Sequence, residues 1–356
     1  MEKYSGVINR YGSLMDLPAG LTEAVTLYEG NTPLIPMPTL AESLGGGFEL
    51  FVKYEGLNPT GSFKDRGMTA AISAAKQRQK KTVLCASTGN TAASAAAYAR
   101  RAGMRAIVMI PEGKVATGKL AGAVAYGAEI IQIPGSFDEA LAFVVEICQK
   151  SEIELVNSLN PYRLEGQKSA AFEICDTLGA APDWMCLPVG NAGNISAYWL
   201  GYTQYDKLKD TGLPRILGVQ AEGAAPLVLG HTVKYPETVA TAIRIGNPAR
   251  GEQALAAAEE SNGRIISVSD ELILAAQKQL ASHGVWVEPA SAAGLAGLKQ
   301  QLEAGMLKLK GKRVVIICTG HGMKDPDIVT SRGVKPVKLP ADYQKVADYI
   351  LEPNKK

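Results

Sequence analysis

A lysine within a turn is the residue of this sequence with the clearest potential for covalent chemistry. Lys64 lies in the segment NPTGSFKDRG, residues 58–67, and a helical run over residues 68–79 follows it. Ser62 and Asp65 have the spacing of a capping box. The pattern therefore predicts Ser62 as the N-cap of the helix and places Lys64 in its first turn.

A lysine at that position is expected to lose its proton more readily than a solvated lysine. The positive end of the helix dipole and the neighbouring Arg66 both disfavour an ammonium group on Lys64. A neutral amine attacks an aldehyde, so Lys64 is a candidate nucleophile. The motif alone is equally compatible with an alternative, in which Lys64 is a surface lysine beside Asp65.

A second polar segment, STGNTAAS at residues 87–94, lies between an apolar strand and an alanine-rich helix. Ser87, Thr88 and Thr91 offer hydroxyl groups there. Together with the amide of Asn90 at the helix N-terminus, they suit a bound carboxylate. The alternative is a capping loop whose side chains only satisfy the end of the helix.

A third segment, PVGNAGNIS at residues 188–196, also joins a strand to a helix. Gly190 and Gly193 allow a turn in which several N–H groups converge, and Asn191 and Asn194 tolerate left-handed angles. This chemistry predicts a phosphate cradle. Because the segment matches neither GxGxxG nor a P-loop, nucleotide binding is disfavoured.

The last segment with chemical potential, VVIICTGHG at residues 314–322, ends a strongly apolar run. Thr319 would place a hydroxyl at the carboxyl edge of a buried strand, beside glycines that keep the approach open. His321 lies in the same loop, where a structural role is the simpler interpretation.

The elements that position these segments alternate between short apolar runs and alanine-rich or amphipathic stretches from about residue 48 to residue 320. This alternation is typical of βαβ units on parallel sheets, which bind ligands at the carboxyl ends of their strands. A helix is predicted over residues 91–102, with Gly103 as its left-handed end. Candidate strands are residues 82–86, 105–110, 129–133, 184–189, 215–220 and 313–318.

Composition excludes several classes of protein. The 356 residues are 46% hydrophobic and 20% charged, with a net charge of +2, so the basic excess typical of nucleic-acid binding is lacking. No apolar run is long enough for a membrane span or a signal peptide, and five scattered cysteines predict reduced thiols. We expect a cytoplasmic protein without a membrane or nucleic-acid partner, and we assign no metal ligand.

Together and in this order, these segments resemble the fold-type II pyridoxal-phosphate enzymes. The resemblance implies that Lys64 carries pyridoxal 5'-phosphate as a Schiff base. It implies that Asn90 binds the phenolic oxygen of the cofactor and that Thr319 faces the pyridine nitrogen. A threonine there need not keep that nitrogen protonated, as a carboxylate would. The implied cofactor-binding residues are Phe63, Lys64, Asn90, Gly190, Asn191, Ala192, Gly193, Asn194 and Thr319.

Within that group the sequence is most similar to the threonine synthases. The segments that carry this similarity are YEGNTPLIP, KYEGLNPTGSFKDRGM, IRIGNPAR and TGHGMKDP, at residues 28–36, 53–68, 243–250 and 319–326. One residue departs from the expected pattern. Arg250 stands where a small residue is expected after GNPA.

The segment NSLNPYRLEGQK, residues 157–168, is the most informative for the substrate. Asn157, Ser158 and Arg163 would combine amide, hydroxyl and guanidinium groups at a strand-to-helix junction, which suits a second phosphate. The alternative is that Arg163 pairs with Glu165 or caps the preceding loop.

The resemblance implies phosphate elimination from O-phospho-L-homoserine and addition of water, which gives L-threonine. Ser87, Thr88 and Thr91 would bind the substrate carboxylate, and Lys64 would act as the base. The role of Glu288 is left open. The alternatives are a threonine or serine dehydratase of the same fold and a non-catalytic sensor of the cofactor or another ligand.

The implied fold is an α/β protein with two open, twisted, mainly parallel sheets flanked by helices and with the cofactor between the lobes. A small α/β domain is predicted over residues 56–157. Residues 1–55 and 158–356 would form the larger cofactor-binding domain, and a homodimer is the habit of the family.

Overall fold

The computed structural model of the protein describes residues 3–112, 117–331, 333 and 336–351. The chain divides into two compact units, Met1–Lys324 and Asp325–Lys356. All segments that the sequence singles out for chemistry belong to the first unit, apart from the last two residues of the segment 319–326. Among the described residues, no helix is both long and apolar enough to cross a lipid bilayer.

The strands form one six-stranded and one four-stranded sheet. The first has the order β1-β2-β10-β7-β8-β9, in which only the β1–β2 pair is antiparallel. The second has the order β5-β4-β3-β6 and is parallel throughout. The strands are β1 Leu34–Pro36, β2 Glu49–Tyr54, β3 Thr82–Ala86, β4 Arg105–Pro111, β5 Glu129–Ile133, β6 Glu154–Leu155, β7 Trp184–Pro188, β8 Arg215–Ala221, β9 Arg264–Val268 and β10 Arg313–Cys318.

Helices connect these strands, as the alternation in the sequence predicts. They are α1 Val7–Tyr11, α2 Pro38–Ser43, α3 Lys64–Gln77, α4 Asn90–Arg101, α5 Thr117–Ala125, α6 Phe137–Gln149, α7 Pro161–Gln167, α8 Ser169–Leu178, α9 Gly193–Lys209, α10 Pro226–Leu229, α11 Gly251–Glu260, α12 Asp270–Ser282, α13 Pro289–Glu303, α14 Asp327–Thr330 and α15 Tyr343–Leu351. Short 3-10 turns lie at Gly12–Leu14, Glu55–Leu57, Thr241–Ile243 and Gly322–Lys324.

The predicted fold class is confirmed, and the six candidate strands match β3, β4, β5, β7, β8 and β10 to within one residue at each end. The helix predicted over residues 91–102 is α4, and Gly103 follows it with the expected positive φ of 71°. The strands of the four-stranded sheet all lie within the predicted small domain, but the division into lobes stays a prediction. All five cysteines are free thiols.

Small residues let the helices pack closely on the sheets. In α13, a Cβ placed on Gly294 would lie 2.9 Å from the carbonyl oxygen of Cys186 in β7, and one on Gly297 would lie 2.5 Å from a methyl group of Val219. Because no side chain intervenes at these positions, α13 approaches the backbone of the six-stranded sheet directly. This close packing fixes the position of α13 on the sheet whose strand ends lead into the functional loops.

A buried ionic cluster lies next to the first turn of α3. The Nζ of Lys53 and an Nη of Arg66 each donate to the same oxygen of Glu173 at 2.7 Å. Arg66 also donates from Nε to Glu55 at 2.6 Å. Burial opposes ionisation of Glu173, but the two cations hold its pKa low, at about 2. The two positive and two negative groups therefore neutralise each other within the core.

Replacing Glu173 with glutamine is expected to lower the free energy of unfolding by about 3 kcal/mol, because Lys53 and Arg66 would then share a single buried carboxylate. Urea denaturation measures this change. Glu23→Gln is the control, since Glu23 pairs with Lys76 at the surface and its loss should leave the midpoint unchanged. Equal midpoints for the two variants would contradict a stabilising role for the cluster.

Candidate active site

The turn that carries Lys64 forms backbone hydrogen bonds with the loop that follows β10. The N–H of Phe63 donates to the carbonyl of Thr319 at 3.0 Å, and the N–H of His321 donates to the carbonyl of Gly61 at 2.9 Å. Lys64 is the first residue of α3, as the position in the sequence predicts. These backbone bonds bring the lysine and the threonine, which are far apart in the sequence, to one place.

The predicted capping box is wrong. Phe63 is the N-cap of α3 and no side chain caps the helix. Asp65 instead accepts hydrogen bonds from the N–H of Thr60 at 2.7 Å, the hydroxyl of Thr60 at 2.6 Å and the hydroxyl of Ser94 at 2.6 Å. The buried hydroxyl of Ser62 has no partner among the described residues. Asp65 therefore ties α3 to α4, a contact that the local spacing could not reveal.

The amine of Lys64 has a pKa of about 7, far below the usual value for lysine. Burial lowers it most, the positive charge of Arg163 lowers it further, and the carboxylate of Glu288 opposes both. The neighbouring Arg66 was expected to contribute, but its charge is neutralised by Glu55 and Glu173 in the ionic cluster. A substantial fraction of Lys64 is thus an uncharged nucleophile at neutral pH.

Trapping with formaldehyde and cyanoborohydride should show this reactivity in the cofactor-free protein. We expect the rate of Lys64 modification, followed by peptide mass spectrometry, to rise with pH and reach half its maximum near the pKa of about 7. Below that pH the ammonium form cannot attack the aldehyde. Lys76, which lies in the same helix and pairs with Glu23 at the surface, is the internal control. Identical pH profiles for the two lysines would contradict the lowered pKa.

The segment after β7 forms a backbone cradle at the N-terminus of α9, a helix of 17 residues. A Cβ on Gly190 would lie 2.9 Å from the Cα of Ile243, so only glycine fits there. Ala192 has the left-handed angles φ 63° and ψ 0°. Asn191 and Asn194 tolerate such angles but do not adopt them, and Ala192 takes the left-handed position instead.

The cradle has the donors that a phosphate requires. The side-chain amide nitrogen of Asn194 is buried and has no partner among the described residues. It lies in the first turn of α9, where backbone N–H groups are also unpaired within the helix and the dipole is positive. These features fit the phosphate group of pyridoxal phosphate.

Two polar pairs, one partly buried and one buried, complete this region. The amide nitrogen of Asn90 donates to both carboxylate oxygens of Glu288, at 3.0 and 3.1 Å. The hydroxyls of Thr319 and Ser291 lie 2.8 Å apart, and the N–H of Gly320 donates to Ser291 at 2.8 Å. Ser291 has no sequence signal of its own, because it lies inside the alanine-rich start of α13. Its hydroxyl orients that of Thr319.

In the loop that precedes α4, one side chain does bind the N-terminal end of the helix, as the alternative of a capping loop predicts. The hydroxyl of Ser87 accepts hydrogen bonds from the N–H groups of Gly89 at 3.3 Å and Ala92 at 3.2 Å. Thr88 and Thr91 are only partly buried. The two threonines therefore keep the accessibility that a carboxylate ligand would need.

The residues predicted to bind a second phosphate lie where β6 leads into α7. Asn157 uses its amide to bind the backbone of Ala86 at the end of β3, accepting at 2.9 Å and donating at 2.8 Å. Its side chain thus aligns the two strand ends. A Cβ on Gly193 would lie 3.9 Å from the Cβ of Ser158, so this region adjoins the cradle.

Arg163 is the most unusual group of the site. Its side chain is buried, and Nη1 donates to the carbonyl of Val156 at 3.2 Å, while Nε and Nη2 have no partner among the described residues. Of the two alternatives for Arg163, pairing with Glu165 is wrong, because that carboxylate pairs with Lys168, whereas the bond to Val156 is a contact with the preceding loop. Burial and the nearby Arg250 lower the pKa of Arg163 to about 10. A buried guanidinium that pairs with no carboxylate among the described residues has the chemistry that an anionic ligand requires.

The arrangement therefore brings together an amine of lowered pKa, a backbone turn with the donors that a phosphate requires and a buried guanidinium that suits a second anion. Among the described residues, no group of three or more histidine, cysteine, aspartate or glutamate side chains could hold a metal ion. His321 stacks on Tyr54, with ring centroids 6.0 Å apart, and its Nδ1 accepts from the N–H of Met323. These contacts are consistent with a structural role for His321, which stays a prediction.

Comparisons with known proteins agree with this chemistry. A family model described as pyridoxal-phosphate dependent enzyme matches residues 25–320. A threonine synthase of Halalkalibacterium halodurans is 54% identical over 352 residues, which cover 98% of this chain and 98% of that protein. A threonine synthase of Mycobacterium tuberculosis is 55% identical over 352 residues, which cover 98% of this chain and 97% of that protein. The solved structure of a processed threonine deaminase isoform 2 from Solanum lycopersicum has a TM-score of 0.73 at 21% identity, over 93% of this chain and 90% of that one.

Proposed function

Because the chain belongs to the family of pyridoxal-phosphate-dependent enzymes, we propose how its residues divide the work of a threonine synthase. The relatives that are 54 and 55% identical over 98% of the chain carry that name, and the protein is a pyridoxal-phosphate-dependent lyase with threonine synthase function. The likeness to the deaminase, at 21% identity, shows the shared fold alone. What we propose is the role of each residue, the identity of the substrate and the assembly into a homodimer.

The cofactor site that we propose follows from the geometry of the cradle. The backbone of Gly190–Asn194 would hold the phosphate, with the Asn194 amide as an additional donor. Lys64 would attach to the aldehyde carbon, with Phe63 beside it. Asn90 would bind the phenolic oxygen, and Thr319, oriented by Ser291, would face the pyridine nitrogen. A hydroxyl at that position can accept or donate a hydrogen bond without imposing a charge.

The proposed substrate is O-phospho-L-homoserine, and the observation that carries this choice is the buried guanidinium of Arg163. An amino acid without a phosphate would leave that charge uncompensated, which is costly in the interior of a protein. Asn157, Ser158 and Arg163 would bind the substrate phosphate. Ser87, Thr88 and Thr91 would bind the carboxylate at the other side of the site.

The cofactor, when bound, supplies the electron sink that makes the α-proton of the amino acid acidic. Lys64 takes the α-proton and then helps to remove a proton from the β-carbon. It can do so because its lowered pKa leaves the amine free to accept protons at neutral pH. Arg163 stabilises the charge of the phosphate as it leaves the γ-carbon. Glu288 lies where its carboxylate favours the protonated form of Lys64, so it would assist when the lysine returns a proton.

Water must be excluded until the step in which it adds to the β-carbon. We propose that residues 56–157 form a small lobe, and that this lobe closes on the rest of the first unit when the substrate binds. The four-stranded sheet lies wholly within this range, which supports the proposal. We also propose a homodimer, on the resemblance to the family, and a cytoplasmic location, which five free thiols support.

An assay of two products tests the function. We expect the purified protein with cofactor to release inorganic phosphate from O-phospho-L-homoserine and to form L-threonine in equal amount. A dehydratase of the same fold would instead form an oxoacid from threonine or serine, and oxoacid formation without phosphate release would overturn the proposal. A protein that binds the cofactor but turns over neither substrate would be the non-catalytic sensor.

A further inference from the structure

One loop bridges the cofactor cradle and the second anion site. The N–H of Ala249 donates to the side-chain oxygen of Asn191 in the cradle at 3.1 Å. The next residue, Arg250, donates from Nε to the carbonyl of Ser158 at 3.1 Å. Since Ser158 adjoins the cradle, the guanidinium of Arg250 lies at the second anion site. The family resemblance assigns Arg250 no role, and a small residue is expected at this position.

Arg250 has no ionic partner in the part of the chain that the structure describes. Among the described residues, no carboxylate forms an ion pair with Arg250 or Arg163, and the only hydrogen bond of the Arg250 side chain runs from Nε. The guanidinium is partly buried, and burial lowers its pKa. It is also close enough to Arg163 for its charge to lower the pKa of that residue. The repulsion between two neighbouring cations decreases when an anion binds between or beside them.

We propose that Arg250 binds the substrate phosphate together with Arg163 and sets the affinity of the site for phosphate dianions. Its Nε is held by Ser158, so the terminal nitrogens remain to donate to the ligand. The inference rests on the proposed function, because it concerns the same second anion site. A phosphate monoester near neutral pH carries close to two negative charges, and two guanidinium groups match that charge.

Arg250 acts on the affinity more than on the chemical step. Because it contacts the phosphate in the bound substrate and as the phosphate leaves, it stabilises the ground state and the transition state alike. Removing it should therefore raise KM and leave kcat nearly unchanged. Released inorganic phosphate presents the same chemistry, so its inhibition constant should rise in parallel.

The test compares the holoenzyme forms of Arg250→Gln, Arg250→Lys and a control, Arg264→Gln. Arg264 is also partly buried, and it donates a single hydrogen bond, to Gln301 at 3.3 Å. It starts β9, at the edge of the sheet opposite to the ligand site. For Arg250→Gln we expect KM for O-phospho-L-homoserine and the inhibition constant of inorganic phosphate both to rise about tenfold. Arg250→Lys should recover most of the affinity, since it restores the charge.

The possible outcomes separate this inference from the proposed function. If the wild type releases phosphate and Arg250→Gln matches Arg264→Gln in KM and in phosphate inhibition, the role of Arg250 is overturned. A fall in kcat at constant KM, without rescue by lysine, would also overturn it, since that result indicates a structural role. If the wild type does not turn over O-phospho-L-homoserine, the proposed function fails, whereas phosphate binding measured by calorimetry still tests Arg250.

Discussion

Replacing Lys64 with alanine is expected to reduce kcat/KM for O-phospho-L-homoserine by at least about 10³-fold, because one side chain supplies both the attachment of the cofactor and the proton transfers. The visible absorbance band of the attached cofactor should disappear at the same time. Steady-state phosphate release and an absorbance spectrum of the purified variant measure the two effects independently.

Lys76→Ala provides the matched control for this experiment. Lys76 lies in the same helix, α3, but its Nζ pairs with Glu23 at the surface at 2.9 Å. The control should keep both the absorbance band and the activity. A Lys64→Ala variant that keeps them too would show that another amine holds the cofactor.

Replacing Arg163 with methionine has the second largest expected effect, and it should change activity and stability in opposite directions. We expect kcat/KM to fall by about 10²-fold or more, because the substrate phosphate loses a buried charged donor. We also expect the free energy of unfolding to rise by about 1 kcal/mol, because methionine removes an uncompensated buried charge while filling a similar volume. Phosphate-release kinetics and urea denaturation of the cofactor-free protein measure the two quantities.

Arg313→Met is the control for this pair of measurements. The Nη1 of Arg313 donates to the carbonyl of Leu178 at 2.9 Å, which resembles the bond from Arg163 to Val156. Arg313 starts β10, away from the ligand end of the sheet, so its replacement should leave kcat/KM unchanged. If Arg163→Met instead lost stability together with activity, Arg163 would serve the fold and the second anion site would lose its main support.

Arg163 and Arg250 differ from the buried charges of the ionic cluster in having no ionic partner within the described part of the chain. Glu173 and Arg66 show that the protein can neutralise buried charges where no ligand binds. Arg163 and Arg250 pair with no carboxylate among the described residues, which costs folding energy and, on the proposed function, provides affinity for the substrate phosphate. This contrast within one chain supports the proposal that the two unpaired guanidinium groups bind the substrate phosphate.

The fold class and the order of the functional loops follow from the amino-acid sequence without the structure. Apolar runs bounded by glycine predicted six strands nearly to the residue, because buried parallel strands need continuous apolar side chains on both faces. The motifs fell at strand ends, where a parallel sheet presents helix N-termini to ligands. Lys64 could be singled out in this way, since its motif is local and lies at the start of a helix.

The tertiary structure alone decided which charges are compensated. Asn90 and Glu288 are 198 residues apart in the chain, and Arg250 and Ser158 are 92 apart, so no local pattern links them. Whether Arg66 or Arg163 acts on Lys64 likewise depends on the acids that fold against each guanidinium. Electrostatic effects depend on distance and burial in space, and sequence spacing determines these only within a single helix, strand or turn.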